Sequence, residues 1–385
     1  MRILISPDKF KGSLSAGDVA ENIKAGLCDR VPDAIIRTLP MADGGEGTAD
    51  VIREACRGEW VNCAAHDALG RAIEARYVWL HDRGTAVMEM SAAAGMWRIA
   101  PGERDLLRAN THGVGEMMKD AAKRGAKEIL LGLGGSATND GGVGMARALG
   151  FRFYEAGEHE LERPDELVRL TKIVLPAVVA AVSAANPRTS MQPSQLPLQA
   201  KIIAAVDVRN PLLGPRGATR IFGPQKGGTV DQLETLEGAL TRLADVVSRD
   251  LGCDLRDTAG AGAAGGLGFG LMSFCRAEVK PGFDVVAEFI GLRSAIEEAD
   301  VVITGEGRLD EQTLEGKAPA GVARLARQLG KPVFAIVGSG SETPAVRALF
   351  NGVLVLARAG ITLEESITRA SELLQERARE LAQMM

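Results

Sequence analysis

A glycine-rich loop between an apolar run and a helix-forming run is the stretch of this sequence best suited to chemistry. The apolar run covers residues 128–131, the glycine loop covers residues 132–144, and residues 145–149 have helix-forming composition. Glycine lets backbone N–H groups approach an anion closely, and a helix start adds partial positive charge. The polar side chains of the loop could contact phosphate and Mg²⁺; they are Ser136, Thr138, Asn139 and Asp140. Taken alone, the pattern fits phosphate binding and a tight structural turn equally well, because short glycine motifs are common.

Charged residues follow three other strand-like runs, at residues 2–6, 34–39 and 301–304. Because ligands of open parallel sheets bind beyond the carboxyl ends of the strands, we expect these charges to gather at one edge. Any single loop of this kind is more often a solvated connection, but the repetition favours a site. The charged residues are Asp8, Lys9, Lys11, Asp43, Glu46, Glu306, Arg308 and Asp310.

Two further loops carry candidate ligand contacts in the middle of the chain. The strand predicted at residues 201–206 ends at Asp207, and Lys226 lies in the glycine-containing segment 222–228. A second glycine loop covers residues 259–268 and includes Gly265 and Gly266. Its small residues fit close packing as well as ligand approach, so both interpretations stay open.

The order of predicted elements indicates an α/β fold made of two domains. Strands and helices alternate at both ends of the chain, which predicts a parallel sheet wrapped by helices. We expect a discontinuous Rossmann/flavodoxin-like domain from residues 1–70 and 281–385. A mixed α/β domain, residues 71–280, is inserted in it, and the active site lies in the cleft between the two. Residues 186–197, rich in Pro, Ser and Gln, are predicted to form an exposed loop.

Composition excludes several classes of partner. The net charge of −5 and the scattered Lys and Arg give no footprint for nucleic acid. The five cysteines form no CxxC pair, which favours reduced thiols in a cytoplasm. The four histidines have no metal-ligand spacing, so none is predicted to bind a metal. No apolar run reaches the roughly 20 residues that a bilayer requires. We therefore expect a cytoplasmic protein without a membrane or nucleic-acid partner.

The mixture of carboxylates, cations and a glycine loop suits phosphoryl transfer. At six of these motifs the sequence also resembles the bacterial type I glycerate kinases, in order and over nearly the whole chain. The resemblance implies phosphorylation of D-glycerate by ATP with Mg²⁺, at the 2-hydroxyl, and a fold with one α/β domain inserted in another. The motifs are residues 6–14, 42–48, 132–142, 221–227, 260–268 and 303–310.

Roles for the site residues are hypotheses on this reading. Lys11 and Arg308 would bind the carboxylate or phosphate, Arg308 at two points. Asp207 and Asp310 are the candidates for metal ligand and general base, in an order that stays open. The substrate side would hold Asp8, Lys9, Asp43, Glu46 and Glu306, of which the acids could equally fix loops. Asp140 and Asp207 would bind the metal. The ATP phosphates would be bound by Gly134, Gly135, Ser136, Thr138, Asn139, Lys226, Gly265 and Gly266.

Alternative functions remain for comparison. Residues 132–137 also look like the phosphate loop of kinases typified by galactokinase, but the other five motifs do not fit that family. The product could be the 3-phosphate, or the substrate a related small hydroxy acid. A sensor that binds a carboxylate without chemistry is disfavoured by the many acidic residues. The oligomeric state is open, and a homodimer is one possibility.

Overall fold

The computed structural model describes residues 1–176, 198–310, 317–340, 344–357 and 361–385. The chain divides into two compact units. Unit 1 consists of Met1–Arg57 and Pro281–Met385, and unit 2 of Gly58–Lys280. The predicted exposed loop at residues 186–197 lies outside the described residues.

The secondary structure alternates strands and helices at both ends of the chain. The strands are β1 (Arg2–Ile5), β2 (Ile35–Thr38), β3 (Glu59–His66), β4 (Ala72–Leu80), β5 (Thr85–Glu89), β6 (Glu128–Gly132), β7 (Arg152–Tyr154), β8 (Lys172–Val174), β9 (Lys201–Val206), β10 (Glu278–Pro281), β11 (Val301–Thr304), β12 (Arg308–Leu309), β13 (Val333–Val337), β14 (Ser339–Gly340) and β15 (Gly352–Val355). The helices are α1 (Ala16–Cys28), α2 (Thr48–Cys56), α3 (Ser91–Ala94), α4 (His112–Lys123), α5 (Val143–Ala148), α6 (Ala218–Phe222), α7 (Val230–Leu251), α8 (Ala263–Cys275), α9 (Gly282–Ile290), α10 (Leu292–Glu298), α11 (Ala318–Gln328), α12 (Pro344–Arg347), α13 (Leu363–Thr368) and α14 (Ala370–Leu381).

The sheet of unit 1 has five parallel strands in the order β2-β1-β11-β13-β15. Counted among the five strands of this sheet, the order is 2-1-3-4-5, the flavodoxin-like arrangement of doubly wound sheets. The predicted parallel sheet made from both ends of the chain is thereby confirmed. In such a sheet ligands bind at the point where the strand order reverses, which here lies between β1 and β11.

The first and last helices of the chain pack together over one side of this sheet's core. One face of α1 carries the apolar residues Val19, Ile23 and Leu27, and all three are fully buried. At Gly26 a Cβ atom would lie 2.3 Å from the backbone oxygen of Gln375, so only glycine allows α1 and α14 to approach this closely. Residues near both chain ends therefore share one hydrophobic core.

Unit 2 contains a six-stranded mixed sheet in the order β10-β9-β6-β5-β4-β3. Strands β5, β6 and β9 are parallel, whereas β3, β4 and β5 pair antiparallel. The predicted division assigned residues 59–70 to the outer domain. In the structure β3 belongs to unit 2, because its whole length pairs with β4.

The C-terminal segment of the chain forms two helices, α13 and α14, separated at Arg369, which has φ −101° and ψ 20°. Thr362 and Glu365 form a capping box at the start of α13, with both reciprocal hydrogen bonds present. No helix in the described part of the chain is long and apolar enough to cross a bilayer.

Candidate functional site

Three carboxylates lie at the carboxyl ends of the neighbouring strands β2, β1 and β11 in unit 1. Asp43 follows β2, Asp8 follows β1 and Glu306 follows β11; we call these three residues the acidic edge. The pairing of β1 and β11 continues beyond the strands, because Asp8 N donates to Gly305 O at 2.8 Å. The acidic edge thus lies at the switch point of the sheet, where the fold predicts a ligand.

Helix α9 approaches the acidic edge closely through its first residue. A Cβ atom at Gly282 would lie 1.7 Å from the backbone oxygen of Asp43, which excludes any larger residue without a backbone shift. The Asp43 carboxylate in turn accepts a hydrogen bond from Gly45 N at 3.2 Å. The loop after β2 is therefore fixed both by packing and by its own side chain.

Asp8 is an acid whose environment changes its protonation. Its side chain is buried, and its Oδ1 accepts a hydrogen bond from Lys9 N at 2.7 Å. Burial and the negative charges of Asp43 and Glu306, against the lowering effect of Lys9, together raise the pKa of Asp8 to about 8. Asp8 therefore retains its proton over much of the neutral range.

Cations flank the acidic edge. Lys9 Nζ lies 3.5 Å from the Glu46 carboxylate and also donates to the backbone oxygen of Glu46. Lys317 Nζ lies 3.9 Å from the carboxylate of Glu306. Lys11 is exposed in the same loop as Lys9. Positive charge suitable for an anionic substrate thus lies in the same loops as the acids.

The Asp310 carboxylate lies between two cations, Lys317 and Arg308. Its Oδ1 is 3.7 Å from Lys317 Nζ and its Oδ2 is 3.3 Å from Arg308 Nε. Arg308 itself is largely exposed, on the short strand β12 that pairs with β14. Both Asp310 oxygens therefore face positive charge, and the Arg308 guanidinium reaches solvent.

The glycine loop of unit 2 is anchored from within by Asp140. This carboxylate is fully buried and accepts four hydrogen bonds, from Thr111 N, Thr111 Oγ1, Gly142 N and Gly144 N at 2.8–3.1 Å. Burial raises the pKa of Asp140, while these donors lower it. The prediction that Asp140 binds metal is not supported by this arrangement, because its oxygens are already engaged inside the protein.

Lys226 supports the same loop. It is almost completely buried, and its Nζ donates to the backbone oxygen of Thr138 at 2.7 Å. Burial lowers its pKa to about 7, and the charge of Asp140 opposes that effect. A buried ammonium that holds a loop carbonyl positions the loop instead of reaching a ligand in solvent.

The second glycine loop packs directly on the first. Ala264, Gly265 and Gly266 are consecutive left-handed residues, with φ of 53°, 69° and 88°. A Cβ atom at Gly265 would lie 1.9 Å from Thr138 O, and Gly141 N donates to Gly265 O at 3.0 Å. The geometry supports the packing interpretation of this stretch.

The rest of the glycine loop offers groups to a ligand. Gly135 is exposed with φ +68°, Gly134 is half-buried, and Ser136 is buried. Among the described residues, Thr138 Oγ1 and Asn139 Oδ1 are buried and have no hydrogen-bond partner. Unsatisfied buried polar atoms in a loop of this kind indicate a missing partner such as a ligand or water.

Asp207 lies at the same sheet edge as the glycine loop. It directly follows β9, which runs parallel to β6, and Leu133 N donates to Ala205 O at 3.1 Å across the two strand ends. Its side chain is exposed. Among the residues that the structure describes, no three histidine, cysteine or acidic side chains converge as metal ligands.

Two supporting residues were not identified from the sequence. Thr111 bridges the Asp140 carboxylate and Met145 N, and Thr219 accepts a hydrogen bond from Asn139 Nδ2 at 3.0 Å. Both lie far from the glycine loop in sequence, and no local motif marks them. Thr111, which directly precedes α4, carried only the signal of a helix start.

Comparison with known proteins gives a consistent result. The model of the glycerate kinase family matches residues 3–385. A glycerate kinase of Bacillus subtilis is 40% identical over 99% of this chain and 97% of its own length. A glycerate 2-kinase of Escherichia coli is 39% identical over 88% of this chain and 85% of its own. A crystal structure described as a glycerate kinase 2 of Salmonella typhimurium LT2 superposes with a TM-score of 0.84 at 39% identity, covering 100% of this chain and 98% of the other. The chain belongs to the glycerate kinase family.

Proposed function

We propose that this chain transfers the γ-phosphoryl group of ATP to D-glycerate, giving 2-phospho-D-glycerate and ADP. The observation that carries the proposal is the glycine loop, whose backbone is held from inside by Asp140 and Lys226. A rigid glycine loop after a parallel strand is a phosphate cradle. Family membership supplies the substrate class, and the name of the Escherichia coli relative supports the 2-hydroxyl as acceptor.

The ATP phosphates are assigned to the glycine loop at residues 134–139. In this proposal Gly134, Gly135 and Ser136 face the phosphates, and Thr138 Oγ1 and Asn139 Oδ1 obtain their missing partners from the ligand or its waters. Lys226 and the pair Gly265–Gly266 act behind the loop, because their contacts are with its backbone.

Of the two predicted metal ligands, Asp207 suits Mg²⁺ better than Asp140 does. Mg²⁺ usually keeps several waters and binds through one or two carboxylates together with substrate phosphates. The exposed Asp207 carboxylate suits that role, whereas the buried and fully hydrogen-bonded Asp140 does not. When bound, the ion would neutralise charge on the transferring phosphoryl group.

Glycerate is assigned to the carboxyl edge of the sheet in unit 1. Its carboxylate requires cations, which Lys9, Lys11 and Arg308 provide, with Arg308 able to make a two-point contact. Its hydroxyls require acceptors, which the acidic edge provides. Glu46 holds Lys9 in place through their ion pair.

An assay of ADP release with a panel of acceptors tests the proposal. D-Glycerate should support turnover, whereas L-glycerate, D-lactate and glycerol, each lacking one feature of the substrate, should be poor acceptors. Phosphorus NMR of the product should show the 2-phosphate. Absence of ADP release with D-glycerate would overturn the proposal, and binding of glycerate without turnover would favour a carboxylate sensor. A 3-phosphate product would refute the assigned position of transfer.

A further inference from the structure

Asp8 occupies the central position of the acidic edge. Its strand, β1, lies between β2 and β11, so the loops that carry Asp43 and Glu306 flank it on both sides. The switch point of a doubly wound sheet is where a ligand's reacting group is expected. Asp8 and Glu306 follow the two strands that flank this point, and Asp8 has a second acid, Asp43, on its other side.

The Asp8 side chain is buried and only half engaged. It is 9% exposed, and Oδ1 accepts the hydrogen bond from Lys9 N. Its second oxygen accepts no hydrogen bond from the part of the chain that the structure describes. This oxygen is not among the fully buried unpartnered atoms of the described residues, so a donor from outside, such as a substrate hydroxyl, can reach it.

The other acids of unit 1 are less suitable for receiving a proton. Asp310 faces Arg308 and Lys317 on its two oxygens. Glu306 lies near Lys317, and the Asp43 carboxylate caps its own loop through Gly45 N. Asp8, by contrast, combines a buried side chain with an oxygen that accepts no hydrogen bond from the described residues.

We propose that Asp8 is the general base that accepts the proton of the glycerate hydroxyl being phosphorylated. This inference rests on the proposed function. The hydroxyl oxygen forms the new bond to the γ-phosphorus as its proton moves to the Asp8 carboxylate. The bond between the γ-phosphorus and the bridging oxygen breaks, and its electron pair leaves on the β-phosphate of ADP. Asp8 then releases the proton to solvent.

The electrostatics of the edge tune this base towards neutral pH. Burial, followed by Asp43 and then Glu306, raises the pKa of Asp8 to about 8, while the backbone and charge of Lys9 lower it. A base is most effective when its pKa is near the working pH. Only the ionised form can accept the proton, so activity should increase as pH rises towards and past this pKa.

The wild-type enzyme and Asp8→Asn provide the first test. In the wild type, the pH profile of kcat/KM for D-glycerate should have an acidic limb: the value should level off above about pH 8 and fall about tenfold per pH unit below it. Asp8→Asn should lower kcat by about 10²- to 10⁴-fold and abolish this limb, with glycerate affinity by calorimetry changed only a few-fold. Asp50→Asn, an exposed acid in the first turn of α2, is the control and should behave as wild type.

A second variant keeps the proposal testable should Asp8→Asn not fold. Asp43→Asn removes the charge that raises the pKa of Asp8 most after burial, so the acidic limb should move to lower pH whatever the plateau rate. A merely structural Asp8 would not move that limb. An unshifted limb in Asp43→Asn, or an Asp8→Asn enzyme within threefold of wild-type kcat, would overturn the inference. If the wild type turns over D-glycerate, either of these two results refutes only the role of Asp8 and leaves the proposed function intact. A wild type without activity on D-glycerate refutes the proposed function.

Discussion

Two buried charges, on Asp140 and Lys226, stabilise the glycine loop instead of meeting solvent or ligand. A buried carboxylate is tolerated only when its hydrogen bonds are satisfied, and Asp140 has four donors. The Lys226 amino group donates to one loop carbonyl, and the charge of Asp140 favours its protonated form. Removal of one partner of such an arrangement leaves the others buried and unsatisfied.

Asp140→Asn should therefore destabilise the protein strongly. In either orientation the amide NH2 group would face donors now served by the carboxylate: Gly142 N in one orientation, and Thr111 N, Thr111 Oγ1 and Gly144 N in the other. We expect a loss of about 3 kcal/mol in the free energy of unfolding, measured by urea denaturation. Asp207→Asn, an exposed carboxylate at the same sheet edge, is the control and should change stability by less than about 0.5 kcal/mol. Equal stability of the two variants would contradict the anchoring role of Asp140.

At the scale of elements, the two glycine loops form one packed unit. Gly265 and Gly266 turn left-handed where α8 begins, and their missing side chains make room for the backbone of the first loop at Thr138 and Gly141. Glycine is required here for two separate reasons, backbone conformation and close approach. The shape of the first glycine loop therefore depends on a segment more than 100 residues further along the chain.

A pair of glycine substitutions separates these two reasons. Gly265 and Gly252 have nearly equal φ, +69° and +70°, but a Cβ atom at Gly265 would lie 1.9 Å from Thr138 O and one at Gly252 would meet nothing within 4 Å. Gly252→Ala should cost about 1 kcal/mol of stability from backbone strain alone. Gly265→Ala should cost at least about 3 kcal/mol and weaken ATP binding, measured by thermal denaturation and calorimetry. Similar losses for both variants would show that the close approach is unimportant.

At the scale of the whole molecule, the two units differ in how the chain builds them. Unit 2 is continuous and has its own sheet and a large hydrophobic core. Unit 1 requires both ends of the chain, because β1 pairs with β11 and α1 packs on α14. Of the five strands in the sheet of unit 1, residues 1–57 contain only β1 and β2.

Fragments should reflect this difference. A fragment of residues 58–280 should fold cooperatively on its own, because its strand pairing and core are internal to it. A fragment of residues 1–57 should remain unfolded, since an isolated two-stranded sheet cannot bury its apolar surface. Circular dichroism and urea denaturation of both fragments check this. A cooperative transition for residues 1–57, or none for residues 58–280, would contradict the division.

The local pattern of the sequence predicted much of the architecture. The predicted bounds of β9 and β11 match the structure, because continuous apolar runs are a local property of the sequence. The position of charged loops at strand ends was also predictable. A parallel sheet brings its carboxyl ends to one edge, so the amino-acid sequence alone is enough to group Asp8, Asp43 and Glu306.

What the sequence could not decide is the environment of each charge. Asp140 and Asp207 both follow strand-like runs, yet Thr111 and the loop amides enclose one while the other is exposed. The raised pKa of Asp8 depends on burial and on acids from two other loops, which no single stretch of sequence reports. Residue types and their periodicity determined which elements form and which loops carry charge, since those depend on near neighbours. Only tertiary packing decided which charges are buried, because burial is set by residues distant in the chain.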